Sequence, residues 1–393
     1  MEENKVNPSD FSKSDAIKKS PKLFIILISI FLIISSIILI IVLVIFGAFQ
    51  CSVTSCDKNA YCINGVFHAD CQCNIGYSGN GFECDECSTF QNNVINSYLT
   101  SQTAEPNSWP ATVDILFNYV TSYKIDSEEY LVMGTGNCGG TLINRKTVLT
   151  TASCIKKTFT AIVKNQTRTI PVELNSYHAN IESMYSVFVG VYNQISYMIN
   201  IGQAKHVHVE KIIKHEQYDE NTDDNDIAII RLKERLELNE MVQLSCLPNK
   251  NENIDSYPNR HQLAWGAGWG SSFSGGKGGS GQSYFGSRPL KSYRLDIYNN
   301  SMCLPVAKQS LDQLNNDVFC AGEVNVSLTG GKRGNCHGDY GSSLYVRENV
   351  TGVEKFVTAG LLSYNEGCNI PYSPGLYTNV VRYLDWIRMN SKY

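Results

Sequence analysis

From Leu23 to Phe49 the chain carries no charged residue (LFIILISIFLIISSIILIIVLVIFGAF), and all 14 of its cysteines lie at or after Cys51. As a helix rising about 1.5 Å per residue, a run of this length spans a hydrocarbon core of about 30 Å with some tilt. The apolar region of a cleaved signal peptide is shorter, about 7–15 residues, so a retained anchor is expected. Ser29, Ser35 and Ser36 are tolerable inside it, because a hydroxyl can bond a carbonyl one turn back. Lys13, Lys18, Lys19 and Lys22 crowd the N-terminal flank, while the next basic residue on the far side is Lys58. That asymmetry predicts a cytoplasmic tail at residues 1–22, a transmembrane helix at 23–49 and everything C-terminal outside. The expected placement is therefore a single-pass type II protein of the plasma membrane or a secretory-pathway membrane. The abrupt onset of cysteine fits an oxidising compartment beyond the span. Sequons at Asn165, Asn299, Asn325 and Asn349 follow it and are candidate glycosylation sites.

A chain of 393 residues is too long for one core, so several modules are expected. The 33 Lys+Arg against 37 Asp+Glu leave a net charge of -4, which argues against a broad basic surface and hence a nucleic-acid partner. Cys51, Cys56, Cys62, Cys71, Cys73 and Cys84 follow the span directly, spaced C-x4-C-x5-C-x8-C-x-C-x10-C. A segment this short, residues 51–84, cannot bury enough apolar surface to fold without staples. Six cysteines allow 15 pairings, and spacing alone does not choose among them. With NAYC and GYSGNGFEC at matching places, the segment resembles an EGF-like domain. That resemblance implies the pairs Cys51–Cys62, Cys56–Cys71 and Cys73–Cys84. Zinc is the rival reading, but the extracellular side and the tight C-x-C favour disulfides. Gly47-Ala48-Phe49-Gln50 supplies none of the carboxylates that the calcium-binding subtype needs at that edge. No metal and no cofactor is expected.

Residues 85–97 read as a linker. From Tyr98 to Tyr393, short β-branched and aromatic runs such as YSVFVGVY, KHVHVEKIIKH, DIAIIRL and EKFVTAGLLSY alternate with Gly, Asn and Pro turns. This is all-β patterning, closed by a helical period over Val381–Asn390. The stretch 270–287, with seven glycines, reads as a flexible surface loop.

The blocks NSWPATVDI from Asn107, CGGTLINRKTVLTTASC from Cys138, DNDIAII, CLP at Cys246, GWG at Gly268, GNCHGDYGSSL and SYNEGCNIPYSPGLYTNV stand in a fixed order. In that order and spacing, residues 98–393 resemble a trypsin-like serine protease domain of the membrane-anchored kind. The resemblance implies a double six-stranded antiparallel β-barrel with a C-terminal helix. It also implies the bridges Cys138–Cys154, Cys303–Cys320 and Cys336–Cys368, with Cys87–Cys246 joining stem to protease domain. All 14 cysteines are then paired.

The family cleaves peptides with a serine nucleophile, a histidine that takes its proton and an aspartate that orients the histidine. By resemblance these positions are Tyr340, Ser153 and Asp226, so only the aspartate is retained. A serine hydroxyl cannot act as a general base near neutral pH. A phenol oxygen lies several ångströms further from the backbone than a serine oxygen, as order of magnitude, and misses the site set by the oxyanion amides. The oxyanion loop contains Gly338, and the base of the specificity pocket is Gly334, which offers no acid to select a basic side chain. Asp339, the family's partner for a freshly cleaved N-terminus, is present. The junction Ser97-Tyr98-Leu99-Thr100-Ser101, however, has neither a basic residue for cleavage nor the glycine pair. Tyr364-Asn365 replaces the family's Trp-Gly on the strand that binds substrate backbone, with Asn365 expected to narrow the pocket mouth. Ser342 and Ser343 lie past the turn that presents the nucleophile. His206, His208 and His215 read as surface or packing groups, and His337 as a rim residue.

The two substitutions can be exchanged in volume. His→Ser opens space beside Asp226 and Ser→Tyr adds a ring opposite, so the ring of Tyr340 is expected there, with its hydroxyl or that of Ser153 donating to Asp226. The expected function is a membrane-anchored, non-catalytic protease homologue acting through a protein partner: a protease, an inhibitor or a receptor. The alternatives are an active endopeptidase with atypical groups and an adhesion protein working through its EGF-like module.

Overall fold

The computed structural model describes residues 21–64, 69–88, 101–194, 204–249, 254–270, 289–299, 303, 317–323, 340–350, 352–365 and 374–392. Outside them lie residues 1–20 of the tail, the glycine-rich loop beyond Gly270, Ser97–Thr100 of the cleavage junction, Gly334, His337, Gly338, Asp339, Asn325 and the pair Cys336–Cys368.

Helix α1 spans Pro21–Val53. The hydroxyls of Ser29, Ser35 and Ser36 donate to the carbonyls of Ile25, Leu32 and Ile33 at 3.0, 2.9 and 2.8 Å. Each hydroxyl is thereby satisfied within the helix. Ile25, Ile26 and residues 28–42 are all exposed. Among the described residues, no helix is long and apolar enough to cross a membrane; the described side chains of α1 run unbroken only over 28–42. The helix continues past Phe49 to carry Cys51 in its last turn, where it is bridged to Cys62.

The small cysteine-rich region contains β1 (Ala60–Asn64), β2 (Ala69–Cys73), β3 (Tyr77–Gly79) and β4 (Cys84–Glu86). Strands β3 and β4 form an antiparallel hairpin with Gly79 opposite Cys84. Cys56–Cys71 and Cys73–Cys84 are bridged, each with Cα atoms 5.5 Å apart. Gly81 has φ +87°, and a Cβ there would meet the Cys71 carbonyl oxygen at 2.0 Å, so this turn requires glycine.

The large domain opens with β5 (Ser101–Thr103). Its first half comprises β6 (Thr112–Ile125), β7 (Glu128–Asn144), β8 (Thr147–Thr150), a hairpin of β9 (Thr158–Val163) and β10 (Gln166–Pro171), β11 (Tyr185–Val189), β12 (Lys205–Lys214) and β13 (Ala228–Leu232). Strands β11-β12-β13-β8-β7-β6 close into a barrel. The turns Asp126-Ser127 and Lys164-Asn165 take positive φ at both central residues, the two-residue geometry that matches strand twist in a tight hairpin. Asn165, a candidate sequon, is thus an exposed hairpin tip; Asn299 and Asn349 are exposed as well.

The second half comprises β14 (Leu263–Gly268), β15 (Lys291–Ile297), β16 (Val318–Glu323), β17 (Ser343–Val350), β18 (Val353–Tyr364) and β19 (Gly375–Asn379). The order β14-β17-β18-β19-β16-β15 closes through a β14–β15 pairing, with β5 added on β15. All six neighbours in this ring pair antiparallel. Each barrel has its own apolar filling: Val113, Ile115, Leu142, Val187 and Ile230 in the first, Leu295, Phe319, Leu344, Val357 and Tyr377 in the second. The terminal helix α2 covers Leu384–Asn390, and Val380–Tyr383 before it forms a 3-10 turn where the sequence suggests regular helix. Val380 and Val381 are β-branched and buried, which suits a tight lead-in better than a helical turn.

The hairpin β3–β4 is bonded to this domain. Arg145 holds Asp85 through two contacts of 2.7 Å. Ser78 donates to the Ser245 carbonyl at 2.6 Å. The ammonium of Lys355, with its side chain only 3% exposed, donates to Glu86 and to the Cys87 carbonyl, both at 2.8 Å. Cys87–Cys246 adds a covalent tie between positions 159 residues apart. Cys138–Cys154 and Cys303–Cys320 are bridged within the barrels, and among the described residues no cysteine is free.

Candidate functional site

Ser153 sits in a 3-10 turn, Ala152–Cys154, immediately after β8. The bridge Cys138–Cys154 pins that turn to β7. Asp226 precedes β13 and is 1% exposed. Its Oδ1 accepts the Ser153 amide at 2.7 Å, and its Oδ2 accepts hydroxyls from Ser153 at 2.9 Å and Ser363 at 2.6 Å. Thr378 donates to its main-chain carbonyl at 2.8 Å. Ser153 Oγ also lies 3.1 Å from Thr151 Oγ1. With one proton to give, it serves the carboxylate, the stronger acceptor. Burial pushes the Asp226 carboxyl up to about 6, against the opposing pull of its bonds from Ser363 and Ser153.

Lys156 lies one turn on. Its Nζ donates to the Ser153 carbonyl at 3.1 Å, and burial lowers its pKa although Asp226 and Asp223 act to raise it. The sequence reading missed both Lys156 and Ser363. Ser363 opens the SYNEGC block and was legible there as a hydroxyl on the strand facing the aspartate. Nothing in the sequence pattern singles out Lys156.

Tyr340 is half-buried, and its ring packs against the apolar clusters of both barrels. Its hydroxyl does not reach Asp226. It lies 3.1 Å from Asn365 Oδ1 and 3.3 Å from the Asn365 carbonyl, and donates there. Of the two hydroxyls that could satisfy Asp226, the serine does so and the phenol turns to the neighbouring strand. The physical reason is supply: Asp226 already accepts three donors, while buried Asn365 offers two acceptors. The Tyr340 carbonyl accepts the Gly139 amide at 2.7 Å, and Gly341 follows at φ +79°. A Cβ on Gly341 would meet Thr150 Oγ1 at 2.2 Å and the Gly139 carbonyl at 2.5 Å, so the turn after Tyr340 admits only glycine.

The remaining hydroxyls are interior. Ser342 is 1% exposed, and its Oγ has no hydrogen-bond partner among the described residues. The Oγ of buried Ser343 accepts from Thr358 at 3.4 Å. His215 packs its ring against Tyr383 and Trp386, with centroids 5.4 and 5.2 Å away. The described groups that bond to or act on Asp226 are thus hydroxyls, an amide, the Lys156 ammonium and the Asp223 carboxylate, with no imidazole among them. Among the described residues, no group of three or more His, Cys, Asp or Glu is disposed to hold a metal ion.

The family model Trypsin matches residues 183–387, just over half of the chain. That stretch contains Asp226 and Tyr340 and begins after Ser153. The chain is 27% identical to the clotting factor G beta subunit of Tachypleus tridentatus over 301 residues, 75% of this chain and 80% of the relative. It is 27% identical to the alkaline B trypsin of Manduca sexta over 254 residues, 65% and 79% of the two chains. With the tissue-type plasminogen activator of Mus musculus it shares 27% over 299 residues, 75% of this chain but 44% of that one.

Proposed function

The chain belongs to the trypsin family, and from that premise we propose that it is a membrane-tethered member without peptidase activity, which acts by binding a protein outside the cell. One observation carries the reading. Where the family places its proton-accepting histidine, Ser153 stands with its hydroxyl donated to Asp226. Among the described groups around Asp226 there is no imidazole to take a proton from a nucleophile at residue 340, and the group at residue 340 is a phenol whose hydroxyl is itself donated to Asn365.

The same contact bears on binding. If β18 and the residue after it receive substrate backbone here as in the family, the Asn365 carbonyl is an acceptor for an incoming amide. Tyr340 occupies it. The protein-binding loops at the barrel rims remain, and a protease, an inhibitor or a receptor is the kind of partner they would take. Tethering rests on the sequence alone, on the charge-free run of Leu23–Phe49 with lysines on its N-terminal side, read as the anchor of a type II protein. The sequons at Asn165, Asn299 and Asn349 are exposed, as glycan acceptors on the outer side must be.

The test is labelling of the full chain, purified in detergent, with a fluorophosphonate, alongside peptide hydrolysis. A second variant, Ser153→His with Tyr340→Ser and a cleavable site before Tyr98, shows that the assay detects the chemistry when its groups are present. The natural chain is expected to remain unlabelled. A labelled serine in it refutes the proposal, and mapping that serine would identify the nucleophile.

A further inference from the structure

Strand β12 carries two histidines that play no part in the network around Asp226 and Tyr340. His206 and His208 are two positions apart, so they share one face of the strand, and Val207 between them points inward and is fully buried. Both histidines are exposed. Their ring centroids lie 4.7 Å apart with the planes at 66°. The arrangement is braced from the neighbouring strand: Phe188, the cross-strand partner of His206, stacks on its ring at 5.0 Å and 24°. Ser186, a small residue, stands opposite His208 and leaves that side open. A carboxylate accompanies them. Glu234 is held by Lys205 at 2.9 Å, and its charge interacts with both imidazoles.

Imidazole is the side chain that offers a neutral nitrogen donor near pH 7, and it suits copper, zinc and nickel. Two imidazoles on one strand form a chelate, because binding at the first ring presents the second at a high effective concentration. The strand fixes their spacing and Phe188 limits the rotation of one of them, which reduces the ordering cost of closing the chelate. We propose that His206 and His208 form a surface chelating site for a divalent transition-metal ion of the copper or zinc class. The protein supplies two nitrogens and water fills the remaining positions. The site is independent of the triad positions: β12 carries neither Ser153, Asp226 nor Tyr340. It stands whether or not the chain has peptidase activity.

The probe is Cu2+, titrated into the full chain in detergent and followed by electron paramagnetic resonance and by calorimetry. One equivalent is expected to bind with a two-nitrogen signature. His206→Ala and His208→Ala are each expected to weaken that binding by about tenfold or more, and the double variant to abolish it. Both residues are exposed, so the variants should keep the parent's melting temperature; His206→Gln and His208→Gln repeat the comparison without truncating either side chain to a methyl. His261→Ala, which removes an exposed histidine elsewhere, should leave the affinity unchanged. The proposal is overturned if the double variant still binds one equivalent with a two-nitrogen signature. It is equally overturned if either single variant matches the natural chain, or if no copper binds the natural chain at concentrations up to ~100 µM.

Discussion

The hydroxyl of Tyr340 is donated to Asn365, 3.1 Å from its side-chain oxygen and 3.3 Å from its carbonyl. Tyr340 comes from the turn before β17 and Asn365 directly follows β18, so the bond ties that turn to the end of the neighbouring strand. Both residues depart from the family's pattern, serine at one and glycine at the other. Each departure makes sense of the other: without a side chain at residue 365 the phenol would have only a carbonyl to meet, and without the phenol the buried Asn365 oxygen would have no described side-chain donor.

Removing the phenol oxygen alone tests this pairing. Tyr340→Phe keeps the ring against both barrel cores and leaves Asn365, 4% exposed, without that donor. An unsatisfied buried acceptor costs about 1–2 kcal/mol. In a domain of this size that amounts to a melting temperature lower by roughly 2–8 °C. Calorimetry of the variant reads it directly, and an unchanged midpoint would mean that the bond contributes nothing.

Asp226 yields a pH dependence whose sign is fixed by burial. Its carboxyl is raised from 3.8 to about 6 in the folded protein. Between those values the folded state holds the proton more tightly than the unfolded chain. Stability therefore falls as pH rises from about 4 to about 6 and then levels off, the whole effect being on the order of 3 kcal/mol. Asp226→Asn removes the charge but keeps an acceptor, and the serine hydroxyls can rotate to meet its amide. The variant is expected to lose this pH dependence and to be more stable than the parent at pH 7. Urea unfolding at pH 4 and pH 7 distinguishes the outcomes; a variant less stable at pH 7 would show that the charge itself is needed.

The sequence makes the barrels legible because alternation, glycine turns and block order survive wherever packing demands them. Ser153 and Asp226 could be placed for the same reason: each is tied to a cysteine or a strand start whose position is fixed. Their mutual hydrogen bond could be foreseen, since a buried carboxylate needs a donor and a hydroxyl stands in the vacated place. The destination of the Tyr340 hydroxyl could not. It depends on a rotamer choice between the Asp226 carboxylate and Asn365 as acceptors, and on Ser363 and Ser153 having already met the needs of Asp226. Lys355 was equally invisible, because a lone lysine in a strand pattern reads as solvent-facing until the stem is seen to cover it.

That lysine makes the stem part of the domain. Its ammonium is held by Glu86 and the Cys87 carbonyl, with the Gly76 carbonyl at 3.5 Å. Lys355→Met retains most of the buried stem volume and removes the donor, at an expected cost of about 1–3 kcal/mol. The loss should be local. The amides of Cys87 and Ser88, bonded to the Gly76 and Leu244 carbonyls, should exchange with deuterium faster in the variant, while those of β13 in the first barrel keep their protection. Equal acceleration at both places would contradict a stem-specific role.

The covalent tie can be separated from these polar ones. Cys87–Cys246 joins residues 159 positions apart, and a loop of that size constrains the unfolded chain by about 5 kcal/mol in the entropic account. The double variant Cys87→Ser, Cys246→Ser should therefore unfold at markedly lower urea. In the folded state, Arg145–Asp85, Ser78–Ser245 and Lys355–Glu86 are untouched by the change. They should hold the hairpin β3–β4 in place, and the exchange rates of Cys87→Ser and Ser88 amides should rise less than in Lys355→Met. If the hairpin instead exchanges freely once the bridge is gone, the disulfide holds the stem and the polar contacts follow from it.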